Sequence, residues 1–160
     1  MAELTNPVIH VTENVTLVTL QDVPADISFV SSIFDKIASY GVNVDMISVT
    51  PPQGTRTSLS FTLSDDELEK VLKLSATMQH EPEQLRPIVS SGNYKISIRD
   101  PHMENQPGVA ARVFEAASKG GADIRIITTS EIQISLLVTA ATFDSAYASI
   151  LQAAKGVQHS

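Results

Sequence analysis

The segment at residues 106–136 reads QPGVAARVFEAASKGGADIRIITTSEIQISL, and it contains the patterns that decide the fold. Its Pro-Gly dipeptide is typical of a turn, here one that opens a helix. Apolar residues then recur every four positions, at Val109, Val113 and Ala117, which places them on one helical face. The segment therefore predicts a short amphipathic helix directly after the turn.

The helix is predicted to end at the glycine pair Gly120 and Gly121, because glycine readily adopts the left-handed conformation found after a helix C-terminus. A β-prone run at residues 124–127 follows. The polar residues 128–131 separate it from an alternating run at residues 132–136, which is typical of a half-buried strand. With the strand before it, the segment predicts the order strand, helix, strand, strand, and its polar turn offers backbone groups to a ligand.

Composition limits the kinds of protein that this chain can be. Its 160 residues are enough for one ordinary domain or two small ones, and an apolar content of 42% predicts a hydrophobic core. The net charge of -7 argues against a nucleic-acid surface, because phosphate contacts need clustered Lys and Arg. The sequence has no cysteine, which excludes disulfides and thiolate metal sites.

No targeting or membrane segment is predicted. Residues 1–6 carry neither a basic region nor an apolar run, so they do not resemble a signal peptide. No apolar stretch approaches the roughly 20 residues that a transmembrane helix needs. We therefore expect a soluble, cytoplasmic protein that does not interact with membranes.

Hydrophobic periodicity predicts the remaining elements. Strands are expected at residues 7–11, 15–20, 42–49, 57–63, 84–90, 94–98, 124–127 and 132–136. Helices are expected at residues 29–40, from 68 onwards, at 109–119 and from about 142 to 154. Breaks are expected at residues 13–14, 21–28, 51–54, 75–83 and 91–93. Ser64, followed three residues later by Glu67, matches a capping box at a helix start.

The chain contains an internal repeat with an offset of 80 residues. Phe34 corresponds to Phe114, and Gly41 corresponds to Gly121. Each copy reads β-α-β-β-α-β, the ferredoxin-like order, so we predict an α+β fold of two such units. Residues 156–160 are too short and polar for a closing strand, whereas residues 7–11 are a spare one. The first unit, residues 12–91, is therefore predicted to be inserted into the second, which comprises residues 92–160 and the strand at 7–11.

These segments resemble the paired ACT domains in the regulatory region of aspartate kinases. The resemblance covers nearly the whole chain, and its specific parts are residues 106–116 and 128–135, in the right order and spacing. Residues 43–47, NVDMI, look like the matching strand of the first unit. The family implies two ferredoxin-like units with antiparallel sheets and helices on one face, the first inserted into the second.

The resemblance implies a regulatory module that binds a small amino acid, lysine or threonine, and controls amino-acid biosynthesis. It implies pairing of ACT units into a homodimer, and an aspartate kinase catalytic subunit as a further partner. It implies no catalytic residue, no metal and no cofactor. Ligand contacts are carried over to the loops before the first helices and to the strands that follow them: Asp26, Ser28, Phe29, Asn43, Val44, Asp45, Met103, Gln106, Pro107, Gly108, Val109, Ala110, Asp123, Ser130 and Glu131.

Four positions depart from the family pattern. The first unit has Ile27 and Ser28 where Pro-Gly is typical, and Val49 where a glutamine is frequent. In the second unit, Arg125 replaces an acidic or amide residue. Because glycine lets the backbone approach a ligand closely, its absence bears on the identity of the ligand and on binding at the first unit.

Purely structural interpretations remain open for these motifs. Residues 106–108 and 128–131 also fit plain turns, and Asn43 and Asp45 also fit local backbone capping. The acidic residues at 65–69 are interpreted as a solvated helix start and not as a metal site. The four histidines lack the spacing of metal ligands and are interpreted as surface or loop residues: His10, His80, His102 and His159.

Other functions compete with the regulatory one. A kinase would need a glycine-rich phosphate loop with a lysine, which is missing from a chain with only 7 glycines. RNA-recognition domains share the strand order, but the negative charge and the lack of an aromatic platform argue against RNA binding. No Gly-x-Ser-x-Gly motif supports nucleophilic catalysis. A module that binds no ligand and serves only in assembly remains the alternative.

Overall fold

The computed structural model describes residue 4 and residues 7–78 and 85–155. The chain folds as two compact units. Residues 14–92 form one, called here the first unit, and the described residues within 1–13 and 93–160 form the other, the second unit. In the described part of the chain, no helix is long and apolar enough to cross a membrane.

The described residues form six strands and four α-helices. The strands are β1 (Val8–Pro24), β2 (Ile47–Val49), β3 (Arg56–Ser64), β4 (Ile88–Arg99), β5 (Ile124–Thr129) and β6 (Gln133–Val138). The α-helices are α1 (Ile27–Ser39), α2 (Leu68–Met78), α3 (Val109–Lys119) and α4 (Ala140–Lys155), with 3-10 helices at Asp65–Glu67 and Pro101–Asn105. The predicted α+β class with antiparallel strands is confirmed.

In the first unit, β3 lies between β2 and β1 and pairs with both in antiparallel fashion. Alternate residues of the strands face the core, where Val18 of β1 lies opposite Phe61 of β3. Ile33 and Ile37 lie one turn apart on α1, and both side chains are buried in the same core. The helical periodicity of the sequence therefore correctly predicts which face of α1 packs against the core.

In the second unit, β6 lies between β4 and β5, with Leu136 opposite Ile96 on one side and Ile127 on the other. The face of α3 predicted to be apolar is buried against these strands. Ile9 of β1 also packs against this core. The core of the second unit therefore contains apolar residues from both ends of the described chain.

The 80-residue repeat is visible in the backbone. Gly41 follows α1 with a φ of 70°, and Gly121 follows α3 with a φ of 68°. Phe34 and Phe114 are each partly buried against the core of their own unit. Equivalent sequence positions therefore hold equivalent structural roles in the two units.

Two predicted breaks are wrong, because the strands continue through them. β1 runs from Val8 to Pro24, through the break expected at residues 13–14 and through the first half of the loop expected at 21–28. Asn14 and Asp22 adopt positive φ within it, and the pairing with β3 is irregular between Leu20 and Val23. Asn and Asp tolerate this conformation, so the strand absorbs both residues as local irregularities.

β4 likewise replaces the two strands expected at residues 84–90 and 94–98. It runs from Ile88 to Arg99 and includes the turn expected at 91–93, with Gly92 at a φ of 73°. Residue 84 lies outside the described residues, and residues 85–87 are not in a strand. Pairing with neighbouring strands outweighs the local turn preference of a single glycine.

The strand expected at residues 42–49 is shorter than predicted, because regular pairing begins only at Ile47. The backbone N–H of Met46 donates to the Thr62 hydroxyl at 2.9 Å, and Thr62 N–H donates to the Met46 carbonyl at 3.0 Å. A side chain thus takes the place of one ladder acceptor. The Thr62 carbonyl accepts from Asp45 N–H instead, at 2.9 Å, so the pairing is irregular at residues 45–46.

The α2 region differs in part from the prediction. Ser64 is a cap as expected, and its hydroxyl accepts a hydrogen bond from Asp66 N–H at 3.3 Å. The Glu67 carboxylate forms an ion pair with Lys70 at 2.9 Å. The loop expected at residues 75–83 is wrong for 75–78, which belong to α2, and residues 79–83 lie outside the described residues.

The remaining sequence predictions concern the termini and the histidines. Residues 156–160, His80 and His159 lie outside the described residues. His10 and His102 are exposed, as expected for surface residues. Among the residues that the structure describes, no group of three His, Cys, Asp or Glu side chains is arranged to hold a metal ion.

Candidate functional site

Residues 103–110, called here the ligand loop, run from the end of the 3-10 helix at Pro101–Asn105 into the first turn of α3. Gly108 precedes α3 with a φ of 95° and a ψ of -3°, which are the angles of the third residue in a type II turn. A proline in the second position favours the same turn, and Pro107 occupies it. The predicted Pro-Gly turn is therefore present, and its geometry requires glycine.

The start of α3 has a glycine as its N-cap residue. Gly108 is the N-cap residue, so no N-cap side chain accepts hydrogen bonds from the first turn of α3. The first backbone N–H groups of a helix have no partner within the helix, and the helix dipole makes this end electropositive. Val109 is buried in the core, whereas Ala110 is exposed. The loop therefore presents main-chain donors at a helix end whose N-cap residue supplies no side-chain acceptor.

The start of α1 is capped by a carboxylate. The two oxygens of Asp26 accept hydrogen bonds from Ser28 N–H at 3.0 Å and from the Ser28 hydroxyl at 2.8 Å. The backbone bond and then the hydroxyl bond hold the pKa of Asp26 below its usual value. Phe29 packs against the core, and Ile27 is 81% exposed. The carboxylate of Asp26 thus occupies the position where a ligand anion would meet this helix.

The predicted residues of the first unit do not come together. Asp26, Ser28 and Phe29 lie at the N-terminal end of α1, whereas Asn43, Val44 and Asp45 follow its C-terminal end. A helix of 13 residues separates these ends by about 20 Å. Within this unit, the two groups of residues therefore cannot contact the same small molecule.

The predicted residues of the second unit come together only in part. Ser130 N–H donates to the Gln133 carbonyl at 2.8 Å, closing the tight turn that contains Glu131. Gln133 lies opposite Arg99, so this turn and the start of the ligand loop are at the same end of the sheet. Asp123 precedes β5, at the opposite end of that strand and about 20 Å away, where its carboxylate accepts a 2.8 Å bond from Arg125.

The geometry of the second unit agrees with a known family. A family model described as the ACT domain matches residues 96–153. This segment is an ACT domain. It contains the ligand loop, α3, β5, β6 and most of α4. The ACT assignment thus applies to the part of the chain in which the Pro-Gly turn was found.

Curated relatives extend the match beyond the ACT domain. The aspartokinase of Geobacillus stearothermophilus is 32% identical over 126 residues, which are 79% of this chain and 30% of that protein. The aspartokinase of Mycolicibacterium smegmatis is 28% identical over 141 residues, 87% of this chain and 33% of that protein. The chain spans about a third of the length of these relatives.

Solved structures match nearly the whole chain. The regulatory subunit of aspartate kinase from Thermus thermophilus, in a ligand-free form, superposes with a TM-score of 0.84 and 25% identity, covering 94% of this chain and 99% of that one. Escherichia coli aspartokinase III, in complex with lysine and aspartate, shares the fold with a TM-score of 0.67 and 21% identity, covering 99% of this chain and 34% of that one. The resemblance to the aspartate kinase regulatory region is confirmed.

Two features near the ligand loop of the ACT domain were not predicted from the sequence. Asp100 is almost fully buried directly after β4, and its carboxylate accepts a hydrogen bond from His102 N–H at 2.9 Å. His102, interpreted from the sequence as a surface residue, also bonds to this carboxylate through Nδ1 at 3.0 Å. An Asp followed by Pro is a signature of a helix start, so this cap was recognisable.

Two open clefts lie away from all the predicted ligand residues. One, of about 490 Å³, is lined in the first unit by Asp22, Arg56 and residues 50–53. The other, of about 330 Å³, lies between α3 and α4 of the ACT domain and is lined by Arg112, Glu115 and Lys119 among others. Asp22 and Arg56 form an ion pair in the first cleft. Neither cleft contains the ligand loop.

Proposed function

We propose that this chain is a non-catalytic regulatory module that binds an amino acid at the ligand loop of its ACT domain. The supporting observation is the contrast between its two equivalent helices. α3 starts after a turn that only glycine adopts readily, and its N-cap residue Gly108 has no side chain to cap it. α1 starts with its own carboxylate in that place. The proposal therefore assigns ligand binding to the second unit.

The chemistry of the ligand loop suits a free amino acid. The ligand carboxylate would meet the N–H groups at the start of α3, where the helix dipole favours an anion. Its ammonium group would meet oxygens at the same end of the sheet, supplied by Gln106, Ser130 and Glu131. Lysine and threonine are the ligands proposed, and the complex of E. coli aspartokinase III with lysine supports the first of them.

The proposed architecture is a pair of tandem ACT units, with residues 12–91 inserted into a unit made of residues 7–11 and 92–160. The burial of Ile9 in the second core supports this arrangement. Through amino-acid binding, the module would control amino-acid biosynthesis in the cytoplasm. Its proposed protein partner is an aspartate kinase catalytic subunit, because the similar Thermus protein is a regulatory subunit.

We also propose that the chain forms a homodimer through its ACT units. β2 is the last strand in the order of the first unit, and it carries the exposed side chains of Ile47 and Val49. An exposed edge strand with apolar side chains is a surface for pairing with another chain. Light scattering at micromolar concentration is expected to give the mass of a dimer. A monomer mass would contradict this part of the proposal.

Thermal unfolding with each of the twenty amino acids tests ligand binding. A ligand that binds only the folded chain stabilises it by about 2.7 kcal/mol at 100 times its dissociation constant. Lysine or threonine at millimolar concentration is therefore expected to raise the unfolding midpoint. Gly108→Ala is expected to abolish this rise, because alanine is strained at a φ of 95°.

Gly54→Ala is the matched control for Gly108→Ala. Gly54 also has a positive φ, of 63°, but it lies in the first unit, with no atom within 4 Å of an added Cβ. This variant is expected to keep the full response to the ligand. If no amino acid raises the unfolding midpoint of the unmodified chain, the proposal that the chain senses an amino acid is wrong. The alternative of an assembly module, which the capped start of α1 favours for the first unit, would then replace it.

A further inference from the structure

Asp100 is a buried acidic residue at the junction between β4 and the ligand loop. Its exposed fraction is 1%, and a carboxylate in such a position is costly unless it is hydrogen-bonded. Both the backbone N–H and the ring Nδ1 of His102 bond to its Oδ1, at 2.9 and 3.0 Å. The carboxylate is therefore the cap of the 3-10 helix at Pro101–Asn105, which leads into the ligand loop.

The backbone of Asp100 joins two further segments. Its N–H donates to the Ile132 carbonyl at 2.9 Å, directly after the turn that contains Ser130 and Glu131. Its carbonyl accepts from Met103 N–H at 3.0 Å, at the start of the ligand loop. One residue thus connects the two segments from which the proposed ligand contacts come.

We infer that Asp100 is a positioning residue, which holds the ligand loop against the turn at residues 130–132. The ligand part of this inference rests on the proposed function, whereas the positioning part does not. Pro101 restricts the backbone next to the cap, because its φ is fixed near the helical value. A loop held in advance in its bound geometry loses less entropy when a ligand binds.

Hydrogen exchange of the ligand-free full chain tests the positioning role. Asp100→Ala is expected to speed amide exchange about tenfold at residues 103–110 and 130–132, the factor that corresponds to losing a hydrogen bond to a charged group. Asp100→Asn keeps an oxygen acceptor and is expected to stay within about threefold of the unmodified chain. His102→Ala changes an exposed side chain and is expected to give an intermediate increase in the exchange rate of the same segments. It replaces Asp100→Ala in the test if that variant does not fold.

Asp65→Ala is the control for general destabilisation. The Asp65 carboxylate accepts bonds from the Thr16 hydroxyl at 2.6 Å and from Gly92 N–H at 3.1 Å, all within the first unit. This variant is expected to leave exchange at residues 103–110 and 130–132 unchanged. An unchanged rate in both Asp100→Ala and His102→Ala, or a uniform increase over the whole second unit, would overturn the positioning role.

Calorimetry with lysine and with threonine then tests the effect on binding. Asp100→Ala is expected to raise the dissociation constant about tenfold, whereas Asp100→Asn is expected to bind about as tightly as the unmodified chain. Equal affinity in all three proteins, despite faster exchange in Asp100→Ala, would overturn the link between positioning and binding. If neither amino acid binds the unmodified chain, the proposed ligands are wrong, and the exchange experiment still decides the role of Asp100.

Discussion

Replacing Leu136 by alanine is expected to lower the free energy of unfolding of the second unit by about 2–5 kcal/mol. Leu136 is fully buried, and it lies in the central strand β6 between Ile96 and Ile127. Removing its side chain costs both the transfer free energy of the lost atoms and the cavity that remains. Paired strands on both sides restrict the backbone movement that would close this cavity.

Leu72→Ala makes the same chemical change at an exposed position. Leu72 is 53% exposed on α2, and alanine is favourable in helices, so this variant is expected to stay within about 0.5 kcal/mol of the unmodified chain. Urea unfolding followed by circular dichroism measures both changes. The assigned core position of Leu136 would be contradicted if its variant were no less stable than Leu72→Ala.

Replacing Gly120 by alanine is expected to have the second large effect on stability, about 1–3 kcal/mol or more. An added Cβ would lie 2.6 Å from the Ser145 carbonyl oxygen and 2.7 Å from Ala146 Cα. Both are backbone atoms of α4 and cannot rotate away. The Ser145 hydroxyl also donates to the Gly120 carbonyl at 2.6 Å, so separating the two segments would break this bond.

Gly121→Ala distinguishes steric overlap from backbone strain. No atom lies within 4 Å of a Cβ added at Gly121, and its φ of 68° is the only obstacle to alanine there. Left-handed strain costs about 1–2 kcal/mol, so Gly121→Ala is expected to be the milder variant. Thermal unfolding of the two variants gives the order. A larger loss of stability in Gly121→Ala would contradict the close approach of α4 to Gly120.

Gly120 and Gly121 show which structural roles a local sequence pattern can predict and which it cannot. The sequence predicts that a glycine pair ends α3, and Gly121 has the left-handed backbone that this prediction requires. Gly120 has an ordinary φ of -78°, and it matters because α4 approaches it. That second reason depends on a helix more than twenty residues further along the chain, which no local pattern contains.

The strand ends show the same limit of prediction from local sequence patterns. The turn preferences of Asn14 and Gly92 are real, since both adopt positive φ, but neither ends its strand. β1 pairs with β3 from Val15 onwards and β4 pairs with β6 from Tyr94 onwards, and this pairing outweighs the local preference. Sequence patterns therefore located the strand residues well, whereas the lengths of β1 and β4 depended on pairing.

The ligand residues separate into those with a local cause and those without one. The turn at Pro107 and Gly108 follows from two adjacent residues, because proline restricts one φ and glycine permits the other. The grouping of this turn with Ser130, and the distance of both from Asp123, follow from the antiparallel register of β4, β5 and β6. The burial of Asp100 likewise became visible only in three dimensions, whereas the cap formed by Asp26 involves Ser28, only two residues away.

The sequence by itself determined the α+β class, the helical faces, the 80-residue repeat and the Pro-Gly turn before α3. Each of these depends on residues within a few positions of one another, or on the comparison of one stretch with another. Only the tertiary structure decided which glycine is needed for close packing and which carboxylate is buried. These properties arise from contacts between residues far apart in the chain, and their free energies depend on distance and burial, which the order of residues does not state.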